Sequence, residues 1–146
     1  PLDAFKVDHA CGAVEEMVVG AAGYDIVLIE GQGSLLHPAS TATLPLMRGS
    51  CPTHLVLCHR ANATMLDTCK GVHIPPLKEV IALSESLAGA AGALTPATTI
   101  GIALNTSGLE EHAAQKAIAE LEDEVGLPVE DVVRFGAGKL ASQLAK

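Results

Sequence analysis

Polar residues that could take part in acid–base or ligand chemistry follow three apolar runs of the sequence. Glu30 ends the run DIVLIE, His59 and Arg60 end THLVLCHR, and Asn105 and Thr106 follow TTIGIAL. Apolar runs without polar alternation are typical of strands in a parallel sheet, and ligands bind at the carboxyl ends of such strands. We therefore expect these side chains to lie in one crevice.

The segment EGQGSLLHP, residues 30–38, places small residues next to Glu30. Gly31 and Gly33 have no Cβ, so the backbone there permits a ligand to approach closely. We expect this loop to contact a ligand directly. The predicted ligand-binding residues of the loop are Gly31, Gln32, Gly33 and Ser34.

Glu30 follows four apolar residues, so we expect its carboxylate to be partly desolvated. Two states are then open to it. The carboxyl group keeps a proton and acts in acid–base exchange, or it is held ionised by Mg²⁺ or by Arg48 or Arg60. The neighbouring glycines favour a carboxylate that faces a ligand over a buried ion pair.

The composition restricts the classes of partner. The chain has 146 residues, a formal net charge of −8 and an apolar fraction of 49%, with no Trp, one Tyr and two Phe. The negative charge argues against nucleic acids and anionic membranes, which attract basic surfaces. The shortage of aromatic residues argues against base stacking. We expect a small-molecule substrate, no nucleic acid and no membrane partner.

The sequence contains neither a long apolar run nor the pattern of an export signal, which predicts a cytoplasmic location. The four cysteines contain no CxxC pair. We therefore expect isolated reduced thiols rather than a disulfide framework or a zinc site.

Apolar runs alternate with helical patterns along the chain. This alternation is typical of βαβ units and predicts one α/β domain over residues 1–146, with a mostly parallel sheet flanked by helices. The segment between Glu30 and Pro52 is predicted to be a long functional loop. We predict extended segments at 2–7, 25–30, 53–60, 98–105 and within 127–136, and helices at 9–20, 75–92, 109–126 and 138–145.

Five segments occur in an order that resembles a known family: EGQGSLLHP (30–38), LVLCHR (55–60), PPLKEVIAL (75–83), IALNT (102–106) and GLPVEDVVRFG (126–136). On these segments, which span nearly the whole chain, it resembles a bacterial family of P-loop-related proteins that contains the D-glutamate N-acetyltransferases of the DgcN type. The resemblance implies a three-layer architecture like that of P-loop nucleoside triphosphatases, incomplete on its N-terminal side, with acetyl-CoA as co-substrate.

The resemblance also implies acetyl transfer to the amine of an amino acid. That reaction needs a base that takes a proton from the ammonium group, and donors that stabilise an oxyanion. The predicted catalytic residues are Glu30, His37 and His59, and the predicted oxyanion donors are the amides around 32–34. Arg60 would pair with a substrate carboxylate, which suits its planar guanidinium.

The sequence departs from this family in three places. It has no GxxxxGK[ST] motif, whose amides and lysine cradle phosphates, whereas the family has such a loop and an N-terminal domain upstream of the matching region. Arg48 stands where many relatives have histidine, and residues 59–67 lack the family's proline- and glycine-containing turn. We expect this portion alone to be inactive, and to associate with the missing portion or with a second copy that covers the strand at 25–30.

Two other functions agree with the same residues. IEGQGS and IALNT are similar to strand ends of dethiobiotin synthetase-like nucleoside triphosphatases, where the acidic residue helps to hold magnesium and the asparagine reads adenine. This similarity implies an ATP- and Mg²⁺-dependent ligase or phosphotransferase, with Glu30 at the metal and Asn105 and Thr106 at the nucleotide. The third alternative is a non-catalytic domain that lost its phosphate loop and binds a partner.

Overall fold

The computed structural model describes residues 7–144, which form two compact units. The helical unit contains the residues up to 52 together with 86–97, and the sheet unit contains residues 53–85 and those from 98 onward. The single domain over 1–146 stays a prediction. Most of the predicted segment 2–7 lies outside the described residues, and Val7 is the first residue of a helix.

The sheet unit is built on three parallel strands, β1 (His54–Arg60), β2 (Thr98–Asn105) and β3 (Val129–Glu130), in the order β1-β2-β3. The predicted α/β class with a parallel sheet flanked by helices is confirmed. Arg60 is aligned with Asn105 across the first pair, and Ala103 with Glu130 across the second. The carboxyl ends of the three strands therefore lie along one edge of the sheet.

Two helices of the sheet unit pack against the sheet, α4 (Glu111–Val125) and α5 (Gly138–Ala141). Helix α3 (Leu77–Ala88) lies between β1 and β2 in the chain, and a short 3-10 helix (Ala90–Gly92) follows it. In packing, α4 contacts β3, and α5 contacts both β2 and β3. The central strand β2 supplies the buried Ile102 and Leu104, while Val129 and Leu140 complete the core around it. Helix α4 is capped by the residue after it, Gly126, whose φ of 75° is a left-handed conformation that favours glycine.

Gly101 allows close packing at the middle of β2. A Cβ added there would lie 2.5 Å from Cδ2 of Leu140 and 2.6 Å from the carbonyl oxygen of Pro128. The same carbonyl accepts a hydrogen bond from the N–H of Ile102 at 2.8 Å. The absence of a side chain at this position therefore lets β3 and α5 approach the central strand.

The helical unit contains α1 (Val7–Gly20) and α2 (Thr43–Ser50), which pack against each other. A Cβ on Gly49 would collide with the carbonyl oxygen of Cys11 and stand 2.9 Å from Cβ of Val14, so glycine is required where the helices meet. Helix α2 lies in the segment that was predicted to be a loop. Its Pro45 is in the first turn, where a proline costs no helical hydrogen bond.

The predicted strand at 25–30 is wrong for the described structure. Residues 26–32 have no regular secondary structure, and 25–31 form no backbone hydrogen bond with another described residue. The apolar side chains from Ile26 to Ile29 are 39 to 86% exposed. A strand needs a neighbour that pairs with its N–H and C=O groups, and none of residues 7–144 supplies one. Coverage by another segment or a second copy stays a prediction.

Among residues 7–144, no helix has both the length and the apolar character that crossing a membrane requires. The cytoplasmic location stays a prediction. Cys11, Cys51, Cys58 and Cys69 are free thiols in the structure.

Candidate functional site

Polar groups gather at the carboxyl ends of the three strands, a region we call the sheet edge: His59, Arg60, Asn105, Thr106, Asp131 and Arg134. The ends of β1 and β2 are joined there by a hydrogen bond from the N–H of Ala61 to the carbonyl oxygen of Asn105, at 3.0 Å. Asp131 immediately follows β3. The polar residues at the ends of β1 and β2 therefore lie at the same edge of the sheet, and the ligand chemistry predicted for them stays a prediction.

Asp131 is the centre of the hydrogen-bond network at the sheet edge, although its side chain is only 4% exposed. Its Oδ2 accepts from the backbone N–H of Thr106 at 3.0 Å and from the hydroxyl group of the same residue. Its Oδ1 accepts from the N–H groups of Val133 and Arg134, at 3.1 and 3.0 Å. One carboxylate thus joins the end of β2 to the turn that follows β3.

These contacts determine the charge state of Asp131. Burial by itself raises the pKa of this carboxyl group, but four hydrogen bonds to the ionised form act in the opposite direction and outweigh burial. They come from the Thr106 hydroxyl and from the backbone N–H groups of Arg134, Thr106 and Val133. The pKa of Asp131 is therefore lowered, and an ionised carboxylate with its oxygens already occupied is suited to holding structure rather than to proton transfer.

Arg134 holds the same loop from outside. Its Nη2 donates to the carbonyl oxygen of Thr106 at 3.2 Å and to that of Leu109 at 2.9 Å. Sequence reasoning missed both Asp131 and Arg134. A local signal was present, because an aspartate before VVR is typical of a residue that caps a turn.

The two predicted nucleotide-binding residues after β2 differ in accessibility. Asn105 is exposed, and its Oδ1 accepts from the N–H of Ser107 at 2.9 Å. Thr106 is 1% exposed, and its N–H and hydroxyl group both donate to Asp131. Its side chain is therefore placed to position the loop. Contact of Asn105 and Thr106 with a cofactor stays a prediction.

His59 and Arg60 end β1 but belong to opposite faces of it. Burial alternates along the strand, so the half-buried His59 shares a face with Leu57, and the exposed Arg60 shares the other with Cys58. Burial lowers the pKa of His59, so its ring is neutral at pH 7 and able to accept a proton.

Arg60 already binds a carboxylate. Its Nη1 donates to Oδ2 of Asp67, and both side chains are about 60% exposed, at 61% and 62%. An exposed ion pair of this kind contributes little to stability, roughly 0 to 1 kcal/mol. The guanidinium is thus accessible to a second carboxylate that competes with Asp67.

In the helical unit, the loop that follows Glu30 is closed by its own polar groups. The hydroxyl of Thr43 donates to the carbonyl oxygen of Gln32 at 2.9 Å and lies 2.8 Å from the hydroxyl oxygen of Ser40. The Ser40 oxygen also accepts from the N–H of Ser34 at 3.3 Å. Gly33 has a φ of 75°, and a Cβ at this position would collide with the Ser40 hydroxyl. The loop is therefore a defined structure.

This network changes the roles open to the predicted residues. Because the N–H of Ser34 is used within the loop, the amides left for an oxyanion are those of Gly31, Gln32 and Gly33, which have no acceptor among residues 7–144. Nδ1 of His37 accepts from the N–H of Ala39 at 3.1 Å. With Nδ1 used in this way, Nε2 is the ring nitrogen left for other contacts, and the predicted role of His37 as a base stays a prediction.

Glu30 is exposed, and the predicted partial desolvation of its carboxylate is wrong, because the residues before it are themselves exposed. Within the helical unit the side chain has no hydrogen bond or ion pair with another described residue, so Arg48 does not hold it, and pairing with Arg60 of the sheet unit stays a prediction. In the part of the chain that the structure describes, no three His, Cys, Asp or Glu side chains form a group that could hold a metal ion. The predicted roles of Glu30 as base and as magnesium ligand stay predictions.

The structure thus divides the predicted site residues between the two units. Glu30, the glycine loop and His37 belong to the helical unit, and the residues of the sheet edge belong to the sheet unit. The single crevice that contains both groups stays a prediction.

Nearly the whole chain is similar to two curated proteins that are longer than it. It is 36% identical over 146 residues to a protein named D-glutamate N-acetyltransferase from Tritonibacter scottomollicae. It is 31% identical over 144 residues to a protein of the same name from Pseudoalteromonas sp. The matches cover 99% and 98% of this chain, but the chain spans only 43% of the length of each curated relative.

A solved structure and a family model agree with these relatives. The crystal structure of a DUF1611 family protein from Anabaena variabilis ATCC 29413 is 56% identical, with a TM-score of 0.93 over 99% of this chain and 43% of that one. The model described as a domain of unknown function (DUF1611_C), P-loop domain, matches residues 1–141. The chain therefore belongs to the DUF1611 family and corresponds to its C-terminal P-loop domain.

Proposed function

We propose that this chain is the C-terminal part of an N-acyltransferase that transfers the acetyl group of acetyl-CoA to the amine of an amino acid. The observation that carries the proposal is the similarity of nearly the whole chain to two proteins named D-glutamate N-acetyltransferase. Because the chain spans 43% of their length, the activity is proposed for the whole protein.

The reaction forms a C–N bond and breaks a C–S bond. A base first takes a proton from the substrate ammonium group, and the free amine attacks the thioester carbonyl carbon. The tetrahedral oxyanion then collapses as the nitrogen loses its second proton, and coenzyme A leaves as a thiolate that takes up that proton. His59 supports this scheme because its ring is neutral at pH 7, and Glu30 supports it because its carboxylate is exposed and unpaired among residues 7–144.

Two groups are suited to bind the negative charges of this reaction, which are the oxyanion and the substrate carboxylate. The exposed amides of Gly31, Gln32 and Gly33 are available to donate to an oxyanion. Arg60 binds the Asp67 carboxylate in an exposed pair, so a substrate carboxylate of the same chemistry replaces Asp67 at low cost. An amino acid that carries a free carboxylate, such as D-glutamate, meets this requirement.

The test is acetyl transfer by the intact protein from acetyl-CoA to D-glutamate, L-glutamate and other amino acids, followed by release of the coenzyme A thiol. We expect turnover with an acidic amino acid. In Arg60→Met, the KM for that amino acid should rise about tenfold, since a charged hydrogen bond contributes about 1.5 to 3 kcal/mol. Lys116→Met removes an exposed cation from α4 and is the matched control, with KM unchanged. No turnover by the intact protein would contradict the proposal.

A second candidate is an ATP- and Mg²⁺-dependent ligase or phosphotransferase, which the family's description as a P-loop domain favours. Calorimetric titration of the intact protein with acetyl-CoA and with Mg-ATP separates the two functions. Binding of acetyl-CoA favours acyl transfer, and binding of Mg-ATP alone favours the second candidate. Binding of neither favours a non-catalytic domain that recognises a partner.

We also propose a small-molecule substrate, with neither nucleic acid nor membrane as partner, because the net charge of −8 repels both. Association with a second copy or with the N-terminal part of the protein would cover the exposed apolar segment at 26–29. A cytoplasmic location agrees with the need for acetyl-CoA.

A further inference from the structure

We infer that Asp67 is a specificity-determining residue, because its carboxylate occupies Arg60 before the substrate arrives and must be displaced by the substrate carboxylate. We call Asp67 in this role the internal competitor. The inference rests on the proposed function, which assigns the substrate carboxylate to Arg60. It adds that the strength of the Arg60–Asp67 pair determines which anions the site accepts and how tightly it binds them.

The two charged groups belong to the sheet unit and are positioned independently of each other. Arg60 is the last residue of β1 and is held by the pairing of that strand with β2. Asp67 lies in the loop after β1, where the N–H of the neighbouring Leu66 donates across the loop to the carbonyl oxygen of Val72 at 3.0 Å. The carboxylate therefore stays near Arg60 even when the ion pair is broken. A group attached in this way competes at an effective concentration on the order of 1 mM.

The pair leaves most of the guanidinium group free. One hydrogen bond joins the side chains, from Nη1 of Arg60 to Oδ2 of Asp67, and no other guanidinium donor has an acceptor among the described residues of the sheet unit. A substrate carboxylate that accepts two parallel bonds from arginine forms the stronger contact and displaces Asp67. An anion without that geometry, such as chloride, has no such advantage. The internal competitor therefore selects carboxylates over simple anions.

Both members of the pair are accessible to a ligand. Their side chains are 61% and 62% exposed, so displacement of Asp67 uncovers no core residue. An exposed pair of ordinary strength raises the apparent KM of a competing ligand about two- to sixfold. The displaced carboxylate also stays close to the bound substrate carboxylate and repels it, which raises the KM further.

The test compares Asp67→Asn with the wild type of the intact protein in acetyl transfer to an acidic amino acid. Asparagine has nearly the same volume as aspartate but no charge, so Arg60 loses its competitor while the backbone hydrogen bonds of the loop remain. We expect the KM for the amino acid to fall about two- to sixfold, with the KM for acetyl-CoA unchanged. Inhibition by chloride at constant ionic strength should become stronger, because chloride no longer competes with a carboxylate.

Two further variants show whether the effect depends on contact with Arg60. Glu120→Gln is the matched control, because Glu120 is the exposed carboxylate of another exposed ion pair, with Lys116. It changes the net charge by the same amount and should leave the KM for the amino acid unchanged. In the background of Arg60→Met, the further change Asp67→Asn should have no effect on this KM, since the competitor acts only through the guanidinium group.

The outcomes separate this inference from the proposed function. An unchanged KM in Asp67→Asn, unchanged inhibition by chloride, or a fall in KM that persists with Arg60→Met overturns the internal competitor and leaves acetyl transfer standing. If the wild-type protein transfers no acetyl group, calorimetric titration with glutarate provides the readout. Tighter binding by Asp67→Asn than by wild type, lost in Arg60→Met, supports the competitor while the proposed function fails. If neither wild type nor Asp67→Asn binds glutarate, both are overturned.

Discussion

Glu30 ends a segment that the sequence predicts as a strand and Asp131 follows β3, yet the surroundings of the two carboxylates are opposite. Glu30 is exposed and has no partner among the described residues, whereas Asp131 is 4% exposed and accepts four hydrogen bonds. A carboxylate with free oxygens is available to a proton, a cation or a substrate. One whose oxygens are occupied joins two strands. Position after a strand-like stretch of sequence therefore does not determine the role of a carboxylate; the number of donors around its oxygens does.

The hydrogen bonds near the two residues also differ in the distance along the chain that they span. In the loop after Glu30, the hydrogen bonds join residues at most 11 positions apart, such as Gln32 and Thr43. At the sheet edge, the bonds of Asp131 and Arg134 to Thr106 span 25 and 28 positions. The first network depends on local sequence, while the second exists only once β2 and β3 are side by side.

The largest expected effect on stability comes from Asp131→Ala. The change leaves the N–H of Thr106 buried without an acceptor, and we expect a loss of about 3 kcal/mol in the free energy of unfolding. Urea denaturation measures this loss. A loss below about 1 kcal/mol would mean that Asp131, like Glu30, is dispensable for the fold.

Gly33→Ala should have the next largest effect. The left-handed φ of 75° costs a residue with a Cβ about 1 to 2 kcal/mol, and the added atom collides with the Ser40 hydroxyl. We expect faster hydrogen exchange at the Ser34 amide as the loop opens. Gly31→Ala is the control, because a Cβ there meets nothing within 4 Å. Equal behaviour of the two variants would show that the local network does not hold the loop.

The pH dependence of stability should show His59 and Asp131 separately. Burial lowers the pKa of His59, so its contribution to stability is complete above about pH 6.5 and is lost as the pH falls through the lower folded-state pKa. The pKa of Asp131 is also lowered, so its contribution is complete above about pH 4 and is lost below it.

Thermal unfolding measured from pH 8 to pH 2 tests this order. His59→Gln should remove part of the decline that begins near pH 6.5, and Asp131→Asn part of the decline below about pH 4. If neither substitution alters the pH profile, the two declines in stability do not come from His59 and Asp131.

Glu30→Gln should have the smallest effect on the free energy of unfolding, within about 0.5 kcal/mol. The change removes only the charge of an exposed side chain that has no partner among residues 7–144. If Glu30 is the general base, acetyl transfer by the intact protein should fall about 100-fold or more. His59→Gln provides the comparison for activity. Full activity in Glu30→Gln together with loss in His59→Gln would assign the base to His59.

Much of the sheet unit was predictable from local patterns. The apolar runs at 53–60 and 98–105 became β1 and β2, and the predicted helix at 109–126 became α4, from Glu111 to Val125. The run at 25–30 has the same apolar pattern but forms no strand, because pairing depends on a neighbour and not on the run itself. Helix α2 was missed because threonine, proline and glycine are typical of loops.

By itself, the sequence determined which residues are apolar, that a helix lies within 109–126, and that polar groups stand at the ends of β1 and β2. These are local properties of side chains and of helix ends. Only the tertiary structure decided that the Asp131 carboxylate accepts hydrogen bonds from Thr106 and from its own turn. The same is true of the bond from Arg134 to a carbonyl oxygen of the loop after β2, and of the exposure of Glu30. Hydrogen bonds between residues 25 or more positions apart depend on how strands lie beside one another, which no short stretch of sequence encodes.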